Sequence, residues 1–168
     1  MSGSQDRNIE VQPSTLPNLM NNVATGAYRI PQFQRNFVWS KRKNIELFDS
    51  IYHEFPIGSF FLWDAQREHN NLFRQIEQLG VPDVCEHDNV QFILDGQQRT
   101  VSLYCALHGL QVDGTDYGRI CFDLKEQKFR DRTADNKRYV RVCDIWGGNI
   151  LELSRQVEEE HVPSLERC

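Results

Sequence analysis

Phe92-Ile93-Leu94-Asp95-Gly96-Gln97-Gln98-Arg99-Thr100 joins an apolar run to a polar turn, and a helical repeat follows at once. Val101, Leu103, Tyr104, Leu107 and Leu110 recur at the spacing that lines one helical face, and Gly109 closes the pattern. The string therefore reads as strand, turn and helix start. Backbone N–H groups at a helix start have no intrahelical partner and together carry roughly half a positive charge, so they attract an anion placed above the turn. Gly96 permits dihedrals that a Cβ would forbid and lets an anion approach the backbone closely. Arg99 adds a full charge, while Gln97 and Gln98 can donate or accept. The same string also admits a plainer role, in which Asp95 merely caps the helix and Arg99 pairs with a surface carboxylate.

Two further blocks lie upstream. Ile30-Pro31-Gln32-Phe33-Gln34-Arg35-Asn36-Phe37-Val38-Trp39 precedes a helical stretch, and Phe55-Pro56-Ile57-Gly58-Ser59-Phe60-Phe61-Leu62-Trp63 follows it. Together with D-G-Q-Q-R-T, and in this order over residues 14 to 124, they resemble the N-terminal domain of GmrSD-type modification-dependent restriction systems. The same domain occurs in the phage-defence proteins SspE and BrxU and looks like a member of the ParB/sulfiredoxin-like superfamily. The resemblance implies an α+β fold of ParB/sulfiredoxin-like type, a small mixed sheet with flanking helices. It also implies a nucleotide site in which the Q-R of the first block, Gln34 and Arg35, joins Asp95 to Arg99 of the third. Neither string departs from the family pattern. Beyond the domain itself, the resemblance implies a partner nuclease domain of the H-N-H type, in cis or in trans, and a role in restricting foreign or modified DNA.

Hydrolysis of a nucleoside triphosphate needs the charge on the transferring phosphoryl group neutralised, a positioned water and a divalent ion bridging phosphate oxygens. Each part has a candidate here. Gly96, Gln97 and Gln98 at the helix start, continuing into Arg99 and Thr100, would cradle phosphates, and Gln34 and Arg35 would complete the nucleotide-binding set. Arg35 and Arg99 would stabilise developing charge from two sides, for which the planar and permanently charged guanidinium is suited. Asp95 would hold Mg²⁺ or orient water. Gln34, Gln97 and Gln98 remain alternatives for positioning the attacking water or contacting base or ribose, and the expected catalytic set is Asp95, Gln98, Arg99 and Arg35. A rival reading is a non-catalytic DNA-recognition module. There Tyr28, Arg29, Lys41, Arg42 and Lys43, with Arg35, contact modified DNA, and D-G-Q-Q-R only builds the fold. Direct DNA cleavage by this domain is a third reading, weakened by the lack of a recognisable metal cluster.

Composition bounds these readings. The chain has 168 residues and a formal net charge of -5, so a whole-surface phosphate binder is excluded and any nucleic-acid face must be local. Tyr28 to Lys43 carries five cations and no acid, whereas the cations from Lys125 to Arg141 alternate with Glu126, Asp131 and Asp135 in the manner of a solvated hairpin. Either patch would bind DNA in a steeply salt-dependent way. No apolar run approaches the length of a membrane span, and the start lacks the order of a signal peptide, so a cytoplasmic location is expected. Five scattered cysteines without a C-x-x-C pair point to reduced thiols, with Cys105 packing as a small apolar residue. There is no P-loop string. Cys85 to Asp88 lacks zinc spacing, and His69-Asn70-Asn71 lacks the second histidine and metal ligands of a nuclease motif.

The chain is expected to divide into a flexible segment at 1–13, a domain at 14–148 that the resemblance implies is ParB/sulfiredoxin-like and nucleotide-binding, and the start of a helical, acidic extension at 149–168, expected to be truncated. Within the domain, Ser14 or Thr15 caps a helix carrying Leu16, Leu19, Met20 and Val23, and a short strand runs through Tyr28 and Ile30 to Pro31. Ser40 caps a second helix that carries Ile45, Phe48, Ile51 and Tyr52 as far as Phe55. Ser59 to Trp63 is expected as a strand, Leu72, Ile76 and Leu79 mark a helix in the following polar insertion, and Asp113 to Asp116 is a hairpin turn. Further strands are expected at 119–124, 128–130 and 139–142. Trp39 and Trp63 are expected in the core.

Overall fold

The computed structural model describes residues 9–31, 39–66, 89–132, 137–148 and 150–165. Gln34 and Arg35, the helix expected through Leu72 and Leu79, the His69 triplet and the Cys85 to Asp88 string lie outside them.

Helix α1 (Leu16–Ala24) begins where the sequence signals it: the Thr15 hydroxyl oxygen accepts from the Asn18 N–H at 3.4 Å, and Leu19, Met20 and Val23 are buried. Strand β1 (Tyr28–Arg29) follows. Helix α2 (Lys41–Tyr52) starts after Ser40 and buries Leu47 and Phe48. It stops short of Phe55 because Glu54 turns to φ 57°, so that its N–H bonds the Ile51 carbonyl at 3.0 Å and the Phe55 N–H bonds that of Ser50 at 2.8 Å.

Strand β2 (Phe61–Gln66) lies antiparallel to β3 (Asn89–Asp95), and β3 lies parallel to β1, giving a three-stranded mixed sheet in the order β1-β3-β2. β2 starts at Phe61, not Ser59, since Gly58 (φ 84°), Ser59 and Phe60 form a loop that wraps a side chain from the third block. On β2 the structure corrects one expectation: Trp63 is 40% exposed, whereas Trp39 packs against the core. An edge strand of a one-sided sheet presents alternate residues to solvent whatever their polarity.

Helix α3 (Gln97–Leu107) is the spine of the fold. The repeat predicted one buried face, yet every residue from Thr100 to Leu107 is buried. Ser102, Cys105 and Ala106, on the remaining surface, are small enough for neighbours to close over them. Gly109 (φ 61°) ends the helix, and the Leu110 N–H reaches back to the Cys105 carbonyl at 2.8 Å. The expected hairpin turn follows between β4 (Gln111–Val112) and β5 (Thr115–Asp116), with Asp113 and Gly114 both at positive φ, as a two-residue hairpin loop requires.

A 3-10 turn at Tyr117–Arg119 leads into β6 (Ile120–Asp123), which is flanked antiparallel by β7 (Lys128–Asp131) and β8 (Tyr139–Arg141) in the order β7-β6-β8. The strand expected to reach Val142 stops at Arg141, and a short helix α4 (Val142–Gly147) begins there. The tail is helical as expected, in α5 (Ile150–Gln156) and α6 (Val162–Leu165). It is seated on the second sheet: Leu153, Val157 and Leu165 are buried with Phe122, Leu124 and Val140. A larger core gathers α1, α2 and α3 with Tyr117, Ile120 and Val142. The architecture is thus α+β, with small sheets and several helices. No described helix is long and apolar enough to cross a membrane.

Candidate functional site

Strand β3 delivers Asp95 to the sheet end, and Gly96 turns the chain into α3 with φ 87° and ψ 2°. The left-handed backbone favours glycine, and so does the space: a Cβ on Gly96 would lie 2.5 Å from Cδ1 of Phe60. The N-cap of α3 is Gly96, which has no side chain to offer. Asp95 is therefore not the cap that the plainer reading expected. The positive end of the α3 dipole lies at this turn. Gln97 and Gln98 are each only 7% exposed, so they shape the wall beneath the turn. Thr100 is buried and turns its hydroxyl back to the Gly96 carbonyl at 3.1 Å, fixing the turn from below.

Arg99 ties this turn to the second sequence block. Its Nη1 donates to the Ile57 carbonyl, and Nη2 donates to the Ser59 carbonyl at 2.7 Å and to Asp95 Oδ2 at 3.1 Å. Its guanidinium also lies 4.9 Å from the centre of the Phe60 ring. The side chain is 15% exposed, while that of Asp95 is 74% exposed. The surface-carboxylate pairing foreseen for Arg99 is thus made by Asp95 itself, one helical turn away. The carbonyl bonds were not foreseen. They fold the Pro56 to Phe61 block around the guanidinium and explain how two blocks 40 and 42 residues apart come to share one site.

The remaining expected residues separate. Arg29 is 5% exposed and donates its Nε to the Gly26 carbonyl at 3.0 Å, and Tyr28 packs half-buried against the main core. Lys41 pairs with Asp131 at 2.8 Å, Arg42 with Glu46 at 3.0 Å, and Lys43 sits 5.8 Å from the Trp39 ring. The α2 start is therefore a solvent-facing basic turn, whereas Arg29 serves the interior. Gln34 and Arg35 lie outside the described residues.

A second polar centre was missed in the sequence. Asp123 is fully buried and receives Nε and Nη2 of Arg138, both at 2.7 Å, Nε of Arg130 at 3.2 Å, and the N–H groups of Lys125 and Glu126, both at 3.1 Å. Burial alone would raise its carboxyl. The hydrogen bonds of Arg138, the Glu126 N–H and Arg130 outweigh that and bring it down to about 2. Two cations of the supposed solvated hairpin are thus spent on an internal carboxylate. The signal for it was faint: an acid closing the otherwise apolar run Ile120-Cys121-Phe122.

The described thiols do not suit nucleophilic work. Burial pushes Cys105 up to about 12 and Cys121 up to about 11, which keeps both protonated. Among the described residues, Cys105, Cys121 and Cys143 are free thiols.

Residues of this chain align with the uncharacterized protein MJ0686 of Methanocaldococcus jannaschii at 32% identity over 97 residues, 55% of the chain. The aligned region spans 17% of that protein, so the chain matches a small part of a much longer polypeptide. The model of the family described as GmrSD restriction endonuclease, N-terminal domain, matches residues 16–163, from the first residue of α1 into α6. With the turn, its Arg99 anchor and all three sheets inside that match, the chain belongs to this family.

Proposed function

We propose that this domain, with a ParB/sulfiredoxin-like fold, binds and hydrolyses nucleoside triphosphates and couples the reaction to recognition or restriction of modified foreign DNA by a nuclease domain in cis or in trans. The observation that carries the reading is the left-handed Gly96 turn at the start of α3, held against the second block by Arg99. A triphosphate seated there lies at the positive end of the α3 dipole, beside Gln97 and Gln98, with Arg35 supplying the second positive charge. Arg99 then works in two ways: it fixes the turn through its carbonyl bonds and adds a positive field beneath the phosphates. Gln98 orients the attacking water.

Asp95 fits a Mg²⁺ partner. Its carboxylate is largely exposed, Arg99 engages its Oδ2, and Mg²⁺ is commonly held by one or two carboxylates together with phosphate oxygens and water. When bound, the ion would neutralise charge on the transferring phosphoryl group. The test is phosphate release measured with and without DNA on the parent and on Arg35→Ala and Gln98→Ala. Turnover in the parent and its loss in both variants is the expected result, and equal rates in all three would remove the assignment.

One observation favours the non-catalytic alternative. Arg99 already serves three protein acceptors, as a residue that only builds the fold would. On that reading the solvent-facing Lys41 to Lys43 turn contacts DNA, and no triphosphate is turned over.

A further inference from the structure

At the far end of α3 from the Gly96 turn, the chain forms a cavity of about 790 Å³ between the C-terminal end of the helix, the 3-10 turn, the outer strands of the β7-β6-β8 sheet and α4. Four cations line it: Arg119, Arg132, Lys137 and Arg141. They face two carboxylates, Asp116 and Asp144. In a chain of net charge -5, this is a local reversal of sign.

The carboxylates are already committed. Asp116 accepts the Gly118 N–H at 2.9 Å, and Asp144 takes both Nε and Nη2 of Arg141, at 2.7 and 2.8 Å. Arg119 shares Asp131, at 3.0 Å, with Lys41. Arg132 and Lys137 are exposed and have no ion pair among the described residues. Among the described residues, Arg132 and Lys137 thus line the cavity without an acidic partner, beside Arg119 and Arg141, which are paired. Tyr139 adds a half-buried aromatic ring to the same wall.

We propose that this groove binds a short single-stranded nucleic-acid segment through its phosphodiester backbone. A positive groove with an aromatic wall is the usual means of holding a single strand without reading its sequence. A volume of about 790 Å³ accommodates a short stretch of nucleotides in a concave site, whereas a duplex offers it only a convex backbone. The inference deepens the reading of this domain as a DNA-recognising part of a restriction system and rests on it. It places the contact away from both the Gly96 turn and the α2 basic turn.

The test is fluorescence anisotropy with a labelled single-stranded oligonucleotide and with its duplex, over a series of salt concentrations. The intact chain is compared with Arg132→Glu/Lys137→Glu, and with Arg42→Glu/Lys43→Glu as a control on α2. All four positions are exposed, and circular dichroism checks each fold. The parent is expected to prefer the single strand. The groove variant should bind it at least tenfold more weakly, with its salt slope reduced by about 1.4, as losing two single-strand phosphate contacts dictates. The α2 variant should bind like the parent. Parental affinity in the groove variant, an equal loss in the α2 variant, or preference for the duplex would each overturn the groove while leaving DNA recognition standing. No binding of either oligonucleotide by the parent would overturn the groove and the DNA reading together.

Discussion

Gly58 packs so closely on Arg99 that a Cβ at residue 58 would lie 2.5 Å from Nη1 and 3.4 Å from Cζ of the guanidinium. The glycine of the second block exists for the arginine of the third. It leaves room for the side chain and, at φ 84°, aims the flanking carbonyls of Ile57 and Ser59 at its donors. Gly58→Ala should therefore both strain the backbone, by about 1 kcal/mol, and dislodge Arg99. Thermal unfolding should fall by several degrees, and nucleotide binding should weaken although residue 58 carries no functional group. An unchanged melting temperature would show that the arginine anchor is not rigid.

Arg99 itself separates building from catalysis. Arg99→Ala leaves the Ile57 and Ser59 carbonyls without their donor, a loss of about 2 kcal/mol or more. Arg99→Lys keeps the charge but not the planar fork that reaches three acceptors at once. Both variants should melt below the parent, and Lys should not rescue turnover. If either variant lost turnover with parental stability, Arg99 would act on the phosphates alone.

The Asp123 centre sets an acid limit. Its carboxyl is lowered in the folded protein from 3.8 to about 2, so on acidification the unfolded chain takes up the proton first. The contribution is complete above pH about 4 and is lost as the pH falls through about 2. Its size is about 2 kcal/mol. In urea titrations, the stability gap between the parent and Asp123→Asn should narrow by about that amount between pH 5 and pH 2. A constant gap would mean that the two arginines do not hold the ionised form.

Buried thiols offer a test of the α3 packing. Cys105 and Cys121, raised to about 12 and about 11, should resist iodoacetamide in the native state at pH 8 and react once the protein is unfolded. Peptide mapping of alkylated native protein would show this. Prompt native labelling of Cys105 would indicate that α3 is not enclosed.

Local patterns in the sequence carried α1, α2, α3 and most of the described strands. Thr15 as a cap, the Leu19, Met20 and Val23 stripe, Gly109 as a stop and the Asp113-Gly114 turn are decided by neighbours a few residues away, and each is found where the residues place it. Partnerships across the chain were hidden. No periodicity links Arg99 to carbonyls 40 and 42 residues earlier, since a carbonyl acceptor is the same in every residue. The Asp123 centre was masked because its charges alternate like those of a solvated hairpin, and only the fold turns Arg130 and Arg138 inward to the same carboxylate. Small residues hid the enclosure of α3: Ser102, Cys105 and Ala106 carry no apolar stripe, yet they let neighbours close over the helix.

The central claim is that the start of α3 at the Gly96 turn, with Arg35 as the second cation, is an anion site for a triphosphate. Isothermal titration calorimetry of each nucleoside triphosphate with Mg²⁺ into the parent, Arg35→Ala and Arg99→Ala proteins tests it most directly. Saturable binding of at least one triphosphate by the parent, with loss of affinity in both folded variants, is the predicted result. A folded parent that binds none of them would contradict the account.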